Sequence, residues 1–457
     1  LLKHTRQGCE LIGRRAHVNG QDEINRLMIE KAREGKHVVR LKGGDPFLFG
    51  RGGEEAEALA LADIPFEVVP GASAALAAPA YAGIPLTHRL LSSSVAIVTG
   101  HEADGKAEST VDWEQLSHAV DTLVVLMGVA NLPSIVGRLL AAGTSASTPV
   151  ALVHRGTLPQ QTVLTSTLAE VVGQAQGIEP PAVLVVGEVA QPGRWKSWFE
   201  QKPLFGRRIV VAGEATRVDA LGDLLCEEGA EVVALPVIET ASNEDTVPLN
   251  RAIEALGGYD WLVFTSDKGV HFFWERLGTL GLDARQLGGV NVAAIGSATA
   301  GALAQEGISA DLIPDRYCTE GLVEAFASLD LRGARMLLPR SDLANPLLPQ
   351  RLVAMGAAVE EVVLYRTLPA QVAPDRQAEI AGVLRRGELD FVVFTSASSA
   401  RRFAEIFPGL HETAIACLGP ATAEAARHLG MSVQVVAEQH TTGGLVEAIV
   451  SHQGREA

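Results

Sequence analysis

Hydroxyl side chains recur in the second half of the chain where a strand-like segment passes into a helix-like one. At such junctions backbone N–H groups lack helical partners and the helix dipole is positive, which suits an anion. For any single residue, capping of its own helix is the stronger interpretation. For the repeated set we predict a polyanion site lined by uncharged donors. The set comprises Ser266, Ser396, Thr299, Thr422, Thr319 and Thr442.

The first half contains a Gly-rich segment, Leu41–Gly53, between a strand-like run and a helix-like run. Its glycines allow close approach of a ligand to the backbone, and Asp45 could accept from a ribose hydroxyl or an ammonium group. The segment is neither GxGxxG nor GxxxxGK(S/T), which disfavours nicotinamide-dinucleotide and P-loop sites. Alone it is a weak indicator, because many such segments are only tight turns.

Alternating elements must position these loops. Apolar β-type runs at 37–41, 64–69, 95–99, 123–127, 150–153 and 182–186 predict strands. Ile24, Leu27, Met28 and Ala32 share one helical face, and Gly35 is a plausible helix stop. Another helix is predicted over 54–62, and the pattern lapses over 191–206.

The second half carries an internal repeat. The segment 209–240 aligns with 336–367 at a constant offset, and Val263–Ser266 recurs as Val393–Ser396. The repeat predicts two lobes of one α/β design with a cleft between them, a usual place for a small-molecule site.

Composition limits the function classes. With 457 residues, 47% hydrophobic and 20% charged, the chain is predicted to be globular with two or three domains. A formal net charge of −16 disfavours nucleic-acid binding. No apolar run is long enough for a membrane span. The four widely separated cysteines predict no disulfide framework and no metal site, and we expect them to be buried.

The first half resembles the uroporphyrinogen-III C-methyltransferases from about residue 11 to 189. The resemblance rests on Val39–Phe47, Phe49–Glu55, Val68–Gly71, Ala80–Arg89 and Val98–His101. It implies methyl transfer from S-adenosylmethionine to two pyrrole carbons, giving precorrin-2. Arg51 and Arg89 are candidates for substrate carboxylates, with a surface or loop-bracing role as the equal alternative. The implied S-adenosylmethionine contacts are Gly43, Gly44, Asp45, Leu48, Ser73, Ala74, Met127 and Gly156.

Two departures from that family bear on activity. Its opening Gly-rich strand–loop and a downstream acidic residue are absent, so we expect several tens of residues to be missing before Leu1. Arg14 stands where the family has a lysine proposed to act in proton transfer, and an arginine does not release a proton near neutral pH.

The second half, from about residue 203, resembles uroporphyrinogen-III synthase through its Phe-Thr-Ser strands, Gly-x-x-Thr-Ala turns and Val363–Thr367. The resemblance implies cyclisation of hydroxymethylbilane with inversion of the last ring, and it places Tyr365 in the cleft. Tyr365 is therefore the candidate acid for loss of the hydroxyl group, with structural burial as the alternative. Ser396 and Thr422 would donate to substrate carboxylates, with Ser266 and Thr299 as weaker candidates.

The predicted fold is α/β throughout: a tetrapyrrole-methylase-type half over 1–190, a linker over 191–206 and a two-lobed synthase half over 207–457. One lobe is expected to use about 203–238 plus 368–457, and the other 239–367. The resemblance implies a cytoplasmic homodimer that contacts through the methyltransferase half, with tetrapyrrole substrates and no nucleic-acid or membrane partner. Two alternatives remain open: a synthase whose first half is an inactive dimerisation scaffold, and a two-lobed small-molecule binding module.

Overall fold

A computed structural model of the chain describes residues 5, 8–13, 20–101, 111–409 and 413–456. The chain forms two compact units, Leu1–Gly206 and Arg207–Ala457. Both are α/β, as predicted. Among the described residues, no helix is both long and apolar enough to cross a membrane.

The first unit is built on a mixed sheet in the order β1-β2-β5-β3-β4, in which only β1 and β2 are parallel. Alternate residues of its strands enter separate apolar clusters, as Val125 and Val124 do, so both faces of the sheet are covered. Its elements are α1 (Gln21–Arg33), α2 (Gly52–Leu61), α3 (Ala74–Tyr81), β1 (Val95–Thr99), α4 (Trp113–Ala119), β2 (Thr122–Leu126), α5 (Leu132–Ala141), β3 (Pro149–His154), β4 (Thr162–Thr167), α6 (Val171–Gln174) and β5 (Ala182–Val186).

Two of the predicted strands are wrong. Residues 37–41 and 64–69 are not strands, and Val39 and Val69 are 75% and 80% exposed. A strand needs a hydrogen-bonded neighbour, and no described segment pairs with either run. Sequence pattern detects the apolar residues but not the missing pairing.

The segment 191–206 packs against the first unit. The Trp195 indole donates to the Val189 carbonyl at 2.6 Å, and the Trp198 indole donates to the Ala80 carbonyl at 2.9 Å. The rings of Tyr81 and Trp198 lie 4.8 Å apart. The predicted linker therefore contacts the first unit, largely at the C-terminal end of α3.

The second unit has one nine-stranded sheet in the order β14-β13-β12-β6-β7-β11-β10-β8-β9. Only β7 and β11 are antiparallel neighbours. Its elements are β6 (Arg208–Glu214), α7 (Ala215–Glu227), β7 (Glu231–Ser242), α8 (Val247–Glu254), β8 (Trp261–Phe264), α9 (Asp267–Thr279), β9 (Asn291–Ala294), α10 (Ser297–Gln305), α11 (Thr319–Ala327), β10 (Arg335–Ser341), α12 (Leu347–Ala354), β11 (Ala358–Pro369), α13 (Pro374–Arg385), β12 (Phe391–Phe394), α14 (Ala397–Ile406), β13 (Ala414–Cys417), α15 (Pro420–His428), β14 (Val433–Val436) and α16 (Thr442–Glu456).

The internal repeat is visible in the strand bounds. β6 and β10 begin 127 residues apart, as do β7 and β11. Each copy also has a register irregularity at the same place, between Gly213 and Glu214 and between Arg340 and Ser341. Such bulges change the direction of the side chains that follow and are common beside active sites.

Two lobes with separate cores follow from this topology. One core draws on residues 210–238 and 372–436, and the other lobe is built on clusters within 249–365. The strands β7 and β11 connect the lobes and pair from Tyr365 opposite Ser242 to Pro369 opposite Ile238. The parallel strands of each lobe end where helices begin, which is the edge at which open α/β sheets bind ligands.

The cysteine expectation holds only in part. Cys417 is buried at the end of β13, whereas Cys9 and Cys226 are exposed. Cys226 lies near the end of α7, on a face that the core does not use. A small apolar side chain costs little free energy at such a position, so composition alone did not predict its location.

Candidate active sites of the two units

Tyr365 meets Ser266 at the edge of the second lobe. The two hydroxyl oxygens are 3.1 Å apart, and Ser266 caps α9 by accepting from the Gly269 amide at 3.0 Å. The ring of Phe272 stacks on Tyr365 at 5.0 Å. Tyr365 and Ser266, which the sequence analysis named for separate roles, therefore lie in contact.

The phenol of Tyr365 is protonated at neutral pH. Burial raises its pKa, and the nearby charge of Asp267 adds to the increase, while the bond to Ser266 and the charge of Arg217 oppose it. A protonated phenol can donate to a leaving hydroxyl group, as an acid must. Arg217 of the other lobe pairs with Asp267 at 3.7 Å, one residue after the Ser266 that contacts Tyr365, so Tyr365 lies near the boundary between the lobes.

Two ion pairs cross that boundary. Glu214, at the end of β6, pairs with Lys268 in the first turn of α9, and Arg217 pairs with Asp267 at 3.7 Å. Thr240 donates its hydroxyl to Glu214 at 2.6 Å, from the strand that joins the lobes. Sequence reasoning missed this cluster. The usable signal was that Glu214 aligns with Ser341 in the other copy of the repeat.

Lys268 is the most perturbed cation of this cluster. Its side chain is 22% exposed, and burial lowers its pKa to about 8. The cation also lies at the positive end of a helix, where the dipole disfavours it. Burial and the helix dipole thus both disfavour the charged form of Lys268, which lies beside the carboxylate of Glu214.

Of the other predicted hydroxyls, Ser396 caps its own helix, and the remaining four lie in the first turns of helices that they do not cap. Ser396 caps α14 in a reciprocal arrangement with Ser399, accepting from its amide at 3.2 Å. Thr299 and Thr422 are 3% and 7% exposed, in the first turns of α10 and α15. The caps next to Thr319 and Thr442 are one residue earlier: the Cys318 sulfur and the Thr441 hydroxyl accept from helix amides.

In the first unit, Asp45 ties two glycine loops together. Its carboxylate accepts from the amide of Phe47 at 2.9 Å and from the amide of Gly71 at 3.1 Å. A Cβ on Gly71 would lie 2.3 Å from the carbonyl oxygen of Gly44, whose φ is +71°. The predicted loop 43–45 and the loop 71–74 therefore form one structure, with Leu48 in the turn that follows.

Ser73, Ala74 and Gly156 converge on α3. Ser73 caps the helix by accepting from the Ala75 amide at 3.2 Å, and Ala74 is its exposed first residue. A Cβ on Gly156 would lie 2.4 Å from the Cβ of Ala78, so only glycine fits there. The predicted positions from these two chain segments therefore lie along α3, Ser73 and Ala74 at its start and Gly156 against its middle.

Met127 follows β2 with a φ of +56° and is 50% exposed. That backbone region is unfavourable for a long side chain and is enriched at functional sites. Arg51 occupies the N-cap position of α2 with a φ of +57° and makes no side-chain capping bond, and Arg89 lies in an exposed turn. No contact among the described residues brings these two arginines together. Arg14 lies outside the described residues.

A buried carboxylate that sequence reasoning missed anchors α2 beside the glycine loop. Glu55 is bonded by Lys42 at 2.7 Å, by Gln21 at 3.0 Å and by Arg40 at 3.1 Å. Burial raises the pKa of Glu55, but these bonds outweigh burial and the net shift is downward. The cluster fixes the loop start at Lys42 to both α1 and α2.

The chain matches two families in succession. Residues 3–172 match the tetrapyrrole (corrin/porphyrin) methylases, and residues 219–447 match the uroporphyrinogen-III synthase HemD family. The porphyrin biosynthesis protein HemD of Ruminiclostridium josui is 35% identical over 442 residues, 96% of this chain and 87% of that protein. These matches define a class of fused tetrapyrrole-biosynthesis proteins.

Other relatives match only one part. The uroporphyrinogen-III C-methyltransferase of Bacillus subtilis is 41% identical over 59% of this chain, which spans 56% of that protein. The siroheme synthase of Azotobacter vinelandii is 51% identical over 41% of this chain and 40% of its own length. A crystal structure of the Thermus thermophilus uroporphyrin-III C-methyltransferase with S-adenyl homocysteine covers 37% of this chain and 74% of that chain, at 41% identity and a TM-score of 0.34. The chain belongs to the uroporphyrinogen-III synthase family, joined to a tetrapyrrole methylase.

Proposed function

We propose that the second unit cyclises hydroxymethylbilane to uroporphyrinogen III and that the first unit methylates this product with S-adenosylmethionine to precorrin-2. Family membership over both halves supports the pair of activities. The observation that carries the synthase assignment is the Tyr365–Ser266 hydroxyl pair beside charged groups of both lobes.

In the synthase reaction, Tyr365 would donate its proton as the C–O bond of the hydroxymethyl group breaks, so that water leaves and a cationic azafulvene remains. Ring closure and inversion of the last ring follow, and the proton released from carbon restores the balance. Ser396, Thr422, Ser266 and Thr299 would hold substrate carboxylates through hydroxyl and helix-start amide groups. Holding the flexible chain in one conformation is itself a large contribution to rate.

The residues of the first unit fit a bound S-adenosylmethionine. A Cβ on Gly43 would have nothing within 4 Å, and Met127 is exposed at a strand end. Gly43, Gly44, Leu48, Ser73, Ala74, Met127 and Gly156 would hold the molecule, which supplies the methyl group. Asp45 would act indirectly, since both its oxygens hold loop amides. Arg51 and Arg89 would pair with carboxylates of the tetrapyrrole, and Arg14 is a further candidate.

A second candidate is a synthase whose first unit serves only as a scaffold. The runs at 37–41 and 64–69, which pair with no strand among the described residues and leave Val39 and Val69 largely exposed, favour it. Dimerisation through the first unit and a cytoplasmic location are predictions of the family resemblance.

One assay series separates these functions. Purified protein supplied with freshly generated hydroxymethylbilane should give the type III isomer, whereas spontaneous closure gives type I. Addition of S-adenosylmethionine should then give precorrin-2. Type I product alone would refute the synthase assignment, and type III product without methylation would favour the scaffold.

A further inference from the structure

The Glu214–Lys268 pair lies where the two lobes meet and beside the proposed acid. Lys268 follows Ser266, the partner of Tyr365, by two residues, and the adjacent Asp267 influences the pKa of Tyr365. Glu214 belongs to the other lobe and is held by Thr240 of the connecting strand. A group that binds substrate at this point would therefore contact both lobes and the reacting end of the molecule.

Helix formation does not require the charges at 267 and 268. In the repeat, Ala397 and Ser398 occupy the equivalent positions directly after the capping Ser396, and α14 forms without them. The first turn of a helix is also the place where a cation is least favourable. Lys268 must therefore have a use other than starting α9.

Glu214 is likewise specific to one copy of the repeat. Its equivalent is Ser341, which follows the same bulge. The Glu214 side chain is 14% exposed, and Lys268 supplies the positive charge beside it. Both side chains are largely shielded from water, so Glu214 competes effectively with any other carboxylate that approaches Lys268.

We propose that Lys268 binds a carboxylate of the polycarboxylate substrate, and that Glu214 occupies Lys268 in the free protein and is displaced when the substrate enters. The proposal rests on the proposed synthase function. Arg217 and Asp267, which pair more loosely at 3.7 Å, form the neighbouring half of the same exchange.

The two partners of this pair then have opposite effects on binding. Glu214→Gln removes the competitor, so affinity should rise about 3- to 10-fold. Lys268→Met removes the cation, so affinity should fall about 10-fold or more, as expected for a hydrogen bond to a charged group. Lys268→Arg keeps the charge and should restore most of the affinity. A purely structural ion pair would give losses of the same sign for both partners.

The measurement is a fluorescence titration of the full chain with uroporphyrin III, which carries the carboxylates without needing turnover, together with the type III assay. Asp283→Asn serves as the matched control because it removes an exposed ion pair elsewhere in the same lobe, and its affinity should equal that of the native protein. Thermal unfolding identifies a variant that fails to fold, and the gain expected for Glu214→Gln cannot arise from misfolding.

Weaker or unchanged binding by a folded Glu214→Gln protein, or unchanged binding by Lys268→Met, overturns the inference. Failure of the native protein to form type III product refutes the synthase function instead. The titration and the assay therefore distinguish the two failures.

Discussion

Replacement of Tyr365 by phenylalanine separates a chemical role of the phenol from a packing role. The ring and its stacking on Phe272 at 5.0 Å are retained. The change removes one hydroxyl and its 3.1 Å contact with Ser266. Ser266 keeps its bond to the Gly269 amide. We therefore expect a loss of only about 1 kcal/mol of unfolding free energy.

The expected effect on rate is much larger. A positioned general acid contributes about 10²–10⁴-fold, which corresponds to about 3–5 kcal/mol of activation free energy. Because burial raises the pKa of Tyr365, the phenol remains protonated through neutral pH, and its donor activity should not decline below pH 9. The loss in kcat should therefore be the same at pH 7 and pH 8.5.

The assay follows type III isomer formation in initial rates, with unfolding measured on the same samples. Tyr259→Phe is the control: that phenol is 4% exposed and bonded to Glu360 at 2.5 Å, within the same lobe. It should lose a similar amount of stability with little loss of kcat. A Tyr365→Phe protein whose rate stays within about threefold of the native rate, well short of the acid contribution, would refute the acid assignment.

Three further predictions concern particular side chains. Glu55→Gln should lower the unfolding free energy of the first unit by about 1.5–3 kcal/mol at neutral pH. Because the pKa of Glu55 is lowered, its contribution is present above its unfolded pKa and is lost as the pH falls, so chemical denaturation should give native and variant proteins the same unfolding free energy in acid. A difference that persists in acid would contradict the argument. Gly156→Val places a Cβ against Ala78 and should lower the unfolding free energy of the first unit by about 1–3 kcal/mol. It should also weaken S-adenosylmethionine binding in calorimetry, whereas unchanged affinity would place the site elsewhere. Burial raises the pKa of Cys417 to about 12, so at pH 8 iodoacetamide should alkylate the exposed Cys9 and spare Cys417 until the protein unfolds, and early labelling of Cys417 would contradict its burial.

The sequence predicted those features that repeat or that depend on neighbours in the chain. The duplicated lobes, the helix stop at Gly35 and the strand 182–186 could be recognised because apolar period and repeated motifs are local signals. The runs 37–41 and 64–69 have the same local signal but no partner among the described strands, so their prediction as strands is wrong.

Contacts between distant residues could not be predicted in this way. The Glu214–Lys268 pair joins lobes whose approach depends on β7 and β11, and the bond from Gly71 to Asp45 depends on the folded path of two loops. A motif identifies residue types near a site, but it does not say whether a carboxylate is free for a ligand or already bonded to the backbone. Asp45 and Ser396 are both examples of residues already engaged.

One lobe combines β6 with β12, β13 and β14, and the other lobe is inserted between these parts in the sequence. This order has a consequence for synthesis on the ribosome. The core clusters of the inserted lobe lie within residues 249–365, so that lobe can collapse once β11 has emerged. The other lobe needs β6 from its start and β12 and β13 from near the end, so β6 and α7 must wait with apolar surface uncovered. The interval between the emergence of β11 and that of β12 and β13 is therefore the one in which a nascent chain of this protein most needs a chaperone.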